Sequence, residues 1–351
     1  MKESISFSKN VFISIIIPTW NSDATLPKTL KKLTQQTYQD FELMIIDNGS
    51  VSFDESKIKH DYQSLNLKII VLKENTGFAH ACNLGAQHAS GTWLAFLNAD
   101  AFPQPDWLEQ FHIYSQQYPT VSAFCSLITQ AKHPDLIDGT GDVYNISGNA
   151  WKRGYGYPIQ TASKKPERIF SPNAAAAFYQ RAVFMELGGF DEDFFSYFED
   201  VDLGFRLNLA GYQCYFLPAL RVEHVGSSST SQDSDFAVYH HHRNSEWVFW
   251  KNMPGILFFI YFSLHLLGNI IFLLKYLKNG RAKIVFKAKW DALKLSGLML
   301  SKRRTIQKQR RASISEINRM LNKQILAPYL LGYSLRKFNK AHQGREMKIT
   351  E

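Results

Sequence analysis

Four short apolar runs constrain this chain more than any other feature: Val11–Ile17, Phe41–Ile46, Leu67–Leu72 and Trp93–Leu97. Each stops at proline or at polar, turn-forming residues, the pattern of a buried strand running into a loop. Between them, Thr25–Gln36 and Phe78–Ala89 read as helices, the second broken by Gly85. Strand, helix and strand repeated at this spacing predict βαβ units and a mostly parallel sheet, an α/β fold. Asn21, Asp47, Asn75 and Asp100 follow the four strands, so the topology brings them to one edge. That carboxyl edge is where open α/β sheets bind ligands.

The periodicity weakens from Ser126 to Ile169, a stretch of irregular strands and loops. Asn173–Leu187 is predicted to be helical, opening with four alanines and capped by Gly188. A further helix is expected over Val201–Ala210, ending at Gly211, then a short strand Cys214–Leu217 stopping at Pro218. Gly255–Leu274 is twenty residues without a formal charge, about 30 Å as a helix. From Lys275 to Arg311 basic residues alternate with apolar ones, and the rest reads as a polar tail.

Charge divides the chain at the same place. From Arg243 onward 22 Lys+Arg face 5 Asp+Glu, whereas residues 1–242 carry 18 against 26. A basic tail on an acidic body calls for a polyanionic partner, nucleic acid or an anionic membrane surface. No nucleic-acid recognition motif accompanies the charge, so the membrane is the expected partner. Gly255–Leu274 is just long enough to span, or could be a buried core helix. An interfacial or re-entrant segment is the preferred expectation, since His265, Ser263 and Asn269 interrupt it and basic flanks on both sides give no orientation. Cys82, Cys125 and Cys214 have no metal-ligand spacing and suit buried thiols in a reducing compartment. Met1–Asn10 is polar and lacks a secretory apolar region, which places the catalytic part on the cytoplasmic side.

Two acidic sites carry the chemistry. Asp100 closes the run Trp93–Asp100, and a carboxylate there can share a hard divalent cation with substrate phosphates. Glu199-Asp200-Val201-Asp202 follows an aromatic stretch with Phe194, Phe195, Tyr197 and Phe198, which suits a partly desolvated general base. The same acids are also what an ordinary helix N-terminus carries, and Asp47 before Asn-Gly-Ser is an ordinary turn residue. Together the two sites point to transfer of a group off a nucleotide.

Several motifs in register, Ile15–Asn21, Ile45–Ser50, Asn75–Phe78, Leu97–Asp100, Leu187–Phe195, Phe198–Leu203 and Val222–Ser227, resemble the family 2 glycosyltransferases, most closely the rhamnosyltransferase-like branch. The resemblance covers about Ile13 to Met253. It implies a GT-A (Rossmann-like) fold and an inverting transfer with no covalent intermediate. Residues 1–250 would form that domain, with a nucleotide-binding half at about 11–125 and an acceptor half at about 126–250. Residues 251–351 would be a helical, basic, membrane-associating extension.

By the same resemblance Pro18, Thr19, Asn21, Asp47 and Asn48 would hold base and ribose, and Asn75, Gly77 and Asn83 would shape the pocket floor. Asp100, beside Asn98, would ligate Mg²⁺ or Mn²⁺ on the diphosphate, with His224 as a second metal ligand or a phosphate contact. Asp200 would take the acceptor proton, with Glu199 and Asp202 fixing the site. Trp151, Arg153, Asp202 and Arg243 are candidate acceptor or phosphate contacts. The implied donor is a nucleoside-diphosphate sugar, dTDP-rhamnose foremost, and the implied acceptor a polyprenyl-linked saccharide of a surface polysaccharide. Asn98 stands where the family usually has a first aspartate, the one feature favouring an inactive assembly subunit. A nucleotidyltransferase would instead need a glycine-rich basic loop after the first strand, and Pro18-Thr19-Trp20-Asn21 is not one. His240-His241-His242 cannot all reach one ion and reads as a loop or helix edge.

Overall fold

The computed structural model describes residues 11–226 and 234–329. Met1–Asn10, Ser227 of the Val222–Ser227 pattern and the end of the polar tail lie outside the described residues. The strands are β1 (Ile13–Thr19), β2 (Phe41–Asp47), β3 (Leu67–Val71), β4 (Trp93–Leu97), β5 (Ala101–Pro103), β6 (Ala123–Gln130), β7 (His133–Gly139), β8 (Asp142–Tyr144), β9 (Ala150–Lys152), β10 (Glu167–Ile169), β11 (Ala176–Gln180) and β12 (Cys214–His224). The helices are α1 (Leu26–Thr34), α2 (Glu55–Asp61), α3 (Phe78–His88), α4 (Trp107–Gln117), α5 (Arg181–Glu186), α6 (Glu199–Leu209), α7 (Asp235–Asn252), α8 (Gly255–Lys278), α9 (Ala282–Lys294), α10 (Ser296–Lys308) and α11 (Ile314–Met320).

The main sheet runs β10-β12-β6-β11-β4-β1-β2-β3, with β5 and β7 on side branches. Its β4-β1-β2-β3 half is parallel, as is β12 beside β6, while β11 enters antiparallel between β4 and β6. Alternation along β1 builds two cores. Ile13, Ile15 and Ile17 meet Leu26, Leu30 and Leu33 of α1 and Trp107 and Phe111 of α4. Ile16 faces the other way, toward Ala81, Cys82 and Ala86 of α3. Gly85 does not break α3. A Cβ there would stand 2.5 Å from Ile16 Cγ2, so glycine is the residue that lets the helix lie this close to the sheet.

The helix predicted over Asn173–Leu187 is corrected. Ala176 and Ala177 belong to β11 at the centre of the sheet, and only Arg181–Glu186 is helical. Alanine's helix preference amounts to under about 1 kcal/mol per residue and is overridden by ladders to β4 and β6. Gly188, at φ +80°, does follow the helix as its left-handed terminus. The strand expected to stop at Pro218 instead continues to His224, with Pro218 inside a register shift between Leu217 and Arg221. A bulge removes the ladder hydrogen bond that proline cannot donate. His240, His241 and His242 lie within α7.

A third core joins the catalytic body to the C-terminal helices, packing Phe194, Phe198 and Phe205 with Trp247, Phe249, Met299 and Ile317. The apolar run is the single helix α8, bound lengthwise along its inner face. His265 stacks on Phe249 at 4.0 Å and lies 2.8 Å from Glu246 Oε2 and 2.9 Å from the Ser147 carbonyl. Glu246 also accepts from Asn269 and Lys289, both at 2.6 Å. The outer face leaves Phe259, Leu266, Leu267, Ile270 and Leu274 exposed, and α9 adds Phe286 and Trp290.

Candidate active site

The carboxyl ends of β1, β2 and β4 open on a cavity of about 410 Å³. The antiparallel β11 matters here, because its reversed direction brings the preceding Asn173-Ala174-Ala175 to the same rim. Pro18 and Thr19 line it from the end of β1 and Trp20 from the loop after it, Asn48 and Asn75 from the next two loops, and Phe78 from the start of α3. Asn98, Asp100 and His224 line one side; Glu199, Asp200, Asp142, Trp151 and Lys152 line another.

Asp100 and His224 converge because β5 pairs with β12, setting Ala101 opposite His224. His224 Nε2 is 3.2 Å from Asp100 Oδ1 and 3.2 Å from Asn98 Nδ2. Its Nδ1 is 2.9 Å from Asp138 Oδ2, which also accepts from Lys152 Nζ at 2.7 Å. Burial disfavours the charged imidazole, but hydrogen bonds to Asp100 and Asp138 outweigh it and raise the His224 pKa. Burial likewise acts to raise Asp138, yet its bonds to His224 and the Lys152 charge hold it down at about 2. Among the described residues no three His, Cys, Asp or Glu side chains cluster as a metal cage. A two-residue pair fits a hard cation whose shell is completed by substrate phosphate oxygens and water.

Asp200 sits in the first turn of α6 at the end of a strained loop. Phe195, Tyr197 and Phe198 all have positive φ, at 64°, 69° and 69°, a backbone that non-glycine residues hold only when surroundings impose it. Asn244 imposes it, its Nδ2 reaching the carbonyls of Phe194, Ser196 and Tyr197 at 3.0, 2.9 and 2.7 Å. Gly77, at φ +92°, accommodates the same loop, since a Cβ there would stand 2.6 Å from the Phe195 carbonyl. The Asp200 carboxylate accepts from Ala174 N at 3.2 Å and Val201 N at 2.8 Å. Burial nevertheless raises its pKa, and it raises Glu199 and Asp142 further, each also disfavoured by the charge of Asp200. Lys152, directly across the hairpin from Asp142, is the cation facing this cluster.

The remaining candidates do not line the cavity. Asp47 lies fully buried beneath it, with Oδ2 accepting from Ser50 N at 3.2 Å and Oδ1 without a hydrogen bond. Asn21 ties its own loop to Ser50 and Val51. Asn83 is spent on Phe190 and Glu192. Asp202 is corrected as an acceptor contact. Two positions past Asp200 the helix has turned about 200°, so it points inward to Arg206, Lys251 and Asn252 at 2.7–2.8 Å. Arg153 turns to Glu167 and Thr140, and Arg243 to the carbonyls of Asp193 and Phe194. Both guanidiniums are tied to neighbouring loops, and Arg153 lines an adjoining cavity rather than this one.

Asp138, Asp142 and Asn244 escaped the sequence reading. Each lies in a segment without clear periodicity or amid unrelated polar residues, and only strand pairing and helix docking bring it to the site.

The sequence profile of glycosyl transferase family 2 matches residues 14–188. The N-acetylglucosaminyl-diphospho-decaprenol L-rhamnosyltransferase of Mycobacterium tuberculosis is 24% identical over 258 residues, 66% of this chain and 82% of that protein. In structure the chain resembles S. aureus TarS 1-349 in complex with UDP-GlcNAc, with a TM-score of 0.55 and 17% identity over 85% of this chain and 90% of that one. It also resembles the mannosyltransferase PcManGT from Pyrobaculum calidifontis in complex with GDP-Man and Mn²⁺, with a TM-score of 0.51 and 15% identity over 96% and 84%. The fold is thus that of GT-A-like enzymes, with a central sheet flanked by helices. The chain belongs to glycosyl transferase family 2 and is a glycosyltransferase that uses a nucleotide sugar.

Proposed function

We propose that the protein is an inverting glycosyltransferase moving a sugar, rhamnose foremost, from a nucleoside diphosphate to a hydroxyl of a lipid-linked saccharide. One observation carries the reading: the Asp100–His224 pair and the raised-pKa carboxyl of Asp200 line a single cavity. Trp20, Asn48 and Asn75 lie where the base and ribose would sit, and Asp47 Oδ1 beneath them offers a buried acceptor. Asp100 and His224 would hold Mg²⁺ or Mn²⁺, with Asp138 fixing the imidazole orientation. Such a cation neutralises the diphosphate leaving group. Asp200 accepts the proton of the attacking hydroxyl as that oxygen bonds to the anomeric carbon and the diphosphate departs. The rhamnosyl donor and the polyprenyl-diphosphate acceptor are favoured by the mycobacterial relative.

Calorimetry with dTDP-, UDP- and GDP-sugars, with and without Mn²⁺, tests the class and names the donor. Metal-dependent binding of one sugar nucleotide is expected, and Asp100→Ala should abolish the metal dependence. No binding to any of them would end the reading.

The protein works on an anionic membrane surface, on the cytoplasmic side that its three buried free thiols favour. The ties of His265 and Asn269 to Glu246 favour an α8 lying along the interface over one crossing it, with its outer apolar residues in lipid. Replacing Phe259, Leu266 and Ile270 together by aspartate should prevent co-sedimentation with phosphatidylglycerol vesicles while leaving donor affinity unchanged. Undiminished sedimentation would refute the docking face.

A further inference from the structure

A second cavity, of about 430 Å³, adjoins the first and shares Trp151, Lys152, Tyr197 and His241 with it. Its far end is built by the C-terminal helices, where Phe272 and Tyr276 of α8 face Ala237, Val238 and His242 of α7. On its other side stand Tyr155 and Tyr157 from the loop after β9. One end therefore opens toward Asp200 and the other reaches the helix whose outer face is exposed and apolar.

We propose that this groove is the acceptor site, occupied by a saccharide joined through diphosphate to a polyprenyl chain. The inference rests on the glycosyltransferase reading above and deepens it, because it assigns α8 a part in substrate binding as well as in docking. The wall chemistry selects the occupant. Aromatic rings offer flat apolar faces to sugar C–H bonds. Phe272 and Tyr276 are held edge-on by the His242 ring, at 5.5 and 5.1 Å between centroids, so the wall is already formed. Burial keeps His241 and His242 neutral, His241 near pKa 4 and His242 near 2, so the groove's own charge is that of Lys152 and Arg153 on the β9 side. Further positive charge follows the aromatic wall along α8, at Lys275 over the Phe272 ring, then Lys278 and, after the helix, Arg281. That order, an aromatic groove followed by cations and an apolar helix face, matches saccharide, diphosphate and lipid in turn.

The test uses the full chain with lipid vesicles and two variants on the partly exposed wall, Phe272→Ala/Tyr276→Ala and the conservative Phe272→Leu/Tyr276→Phe. The probe is N-acetylglucosaminyl diphosphate on a farnesyl chain bearing a photoreactive diazirine. Saturable labelling of the wild type within residues 237–242 and 272–276 is expected, with affinity reduced about tenfold in the alanine variant and restored in the conservative one. Donor affinity, measured in parallel, should stay within twofold across all three proteins. Labelling elsewhere, absence of labelling, or equal affinity in the alanine variant would overturn the groove assignment. Absence of donor binding in the wild type would instead overturn the glycosyltransferase reading, so the two failures are distinguishable.

Discussion

Asp200→Asn is expected to reduce transfer by about 10²–10⁴, the range a positioned general base contributes, while donor affinity stays nearly unchanged. The amide keeps the shape of the carboxylate and one of its two backbone hydrogen bonds, giving up that to Ala174 or that to Val201, a loss small beside the packing that holds α6. What it cannot do is take a proton. The pH profile of the wild type carries the matching signature. Burial raises the Asp200 pKa, so the carboxyl is protonated and idle below that raised value. Transfer should therefore decline as pH falls through a point above the ordinary aspartate range, and the decline should precede unfolding. Steady-state kinetics of acceptor glycosylation, alongside donor calorimetry, decide the matter. Loss of donor affinity together with rate would show that Asp200 holds the nucleotide sugar instead.

Asp202→Ala is expected to have the opposite signature, a folding defect of about 3–5 kcal/mol, the cost of leaving buried charges unpaired. Asp202 is fully buried and is approached by Arg206, Lys251 and Asn252. Arg206 also grips the carbonyls of Leu187 and Gly189, both at 2.7 Å, and Lys251 pairs with Asp191. Removing the carboxylate strips two buried cations of their shared counter-charge and loosens the loop carrying Gly188 and Gly189. Denaturant unfolding of the purified variant measures the effect. A variant as stable as the wild type yet unable to transfer sugar would place Asp202 on the acceptor after all.

Those two aspartates mark where reading the chain as a string stops. Glu199-Asp200-Val201-Asp202 announces an acidic helix start, and 3.6 residues per turn sends the second aspartate away from the face of the first. Which of the two faces the cavity depends on where α6 docks, and that is decided by the third core and by Asn244. The apolar runs at β1, β2 and β4 were legible because a strand buried on both faces is mostly apolar. β3, at the sheet edge, is half-exposed and carries Lys68. With these runs came the carboxyl edge and the placement of Asn75 and Asp100 on its cavity. Asn21 and Asp47, read from the same strand ends, fall outside the cavity lining, the one tying a loop and the other buried. The alanine run was misread because local propensity favours a helix by far less than a central place in the sheet favours a strand.

The sequence by itself determined the α/β class and the carboxyl edge with Asp100 on it, because periodicity and strand-end polarity are local properties, and its motifs carried the family resemblance. Tertiary structure decided that His224 touches Asp100 directly, that Asp138, Asp142 and Lys152 gather at the same cavity, and that Arg243 and Asp202 turn away from it. Those outcomes depend on β12 pairing with β5, on the β8–β9 hairpin and on α7 packing beneath the loop at 194–198. Such contacts link residues tens of positions apart, and no local pattern in the chain records them.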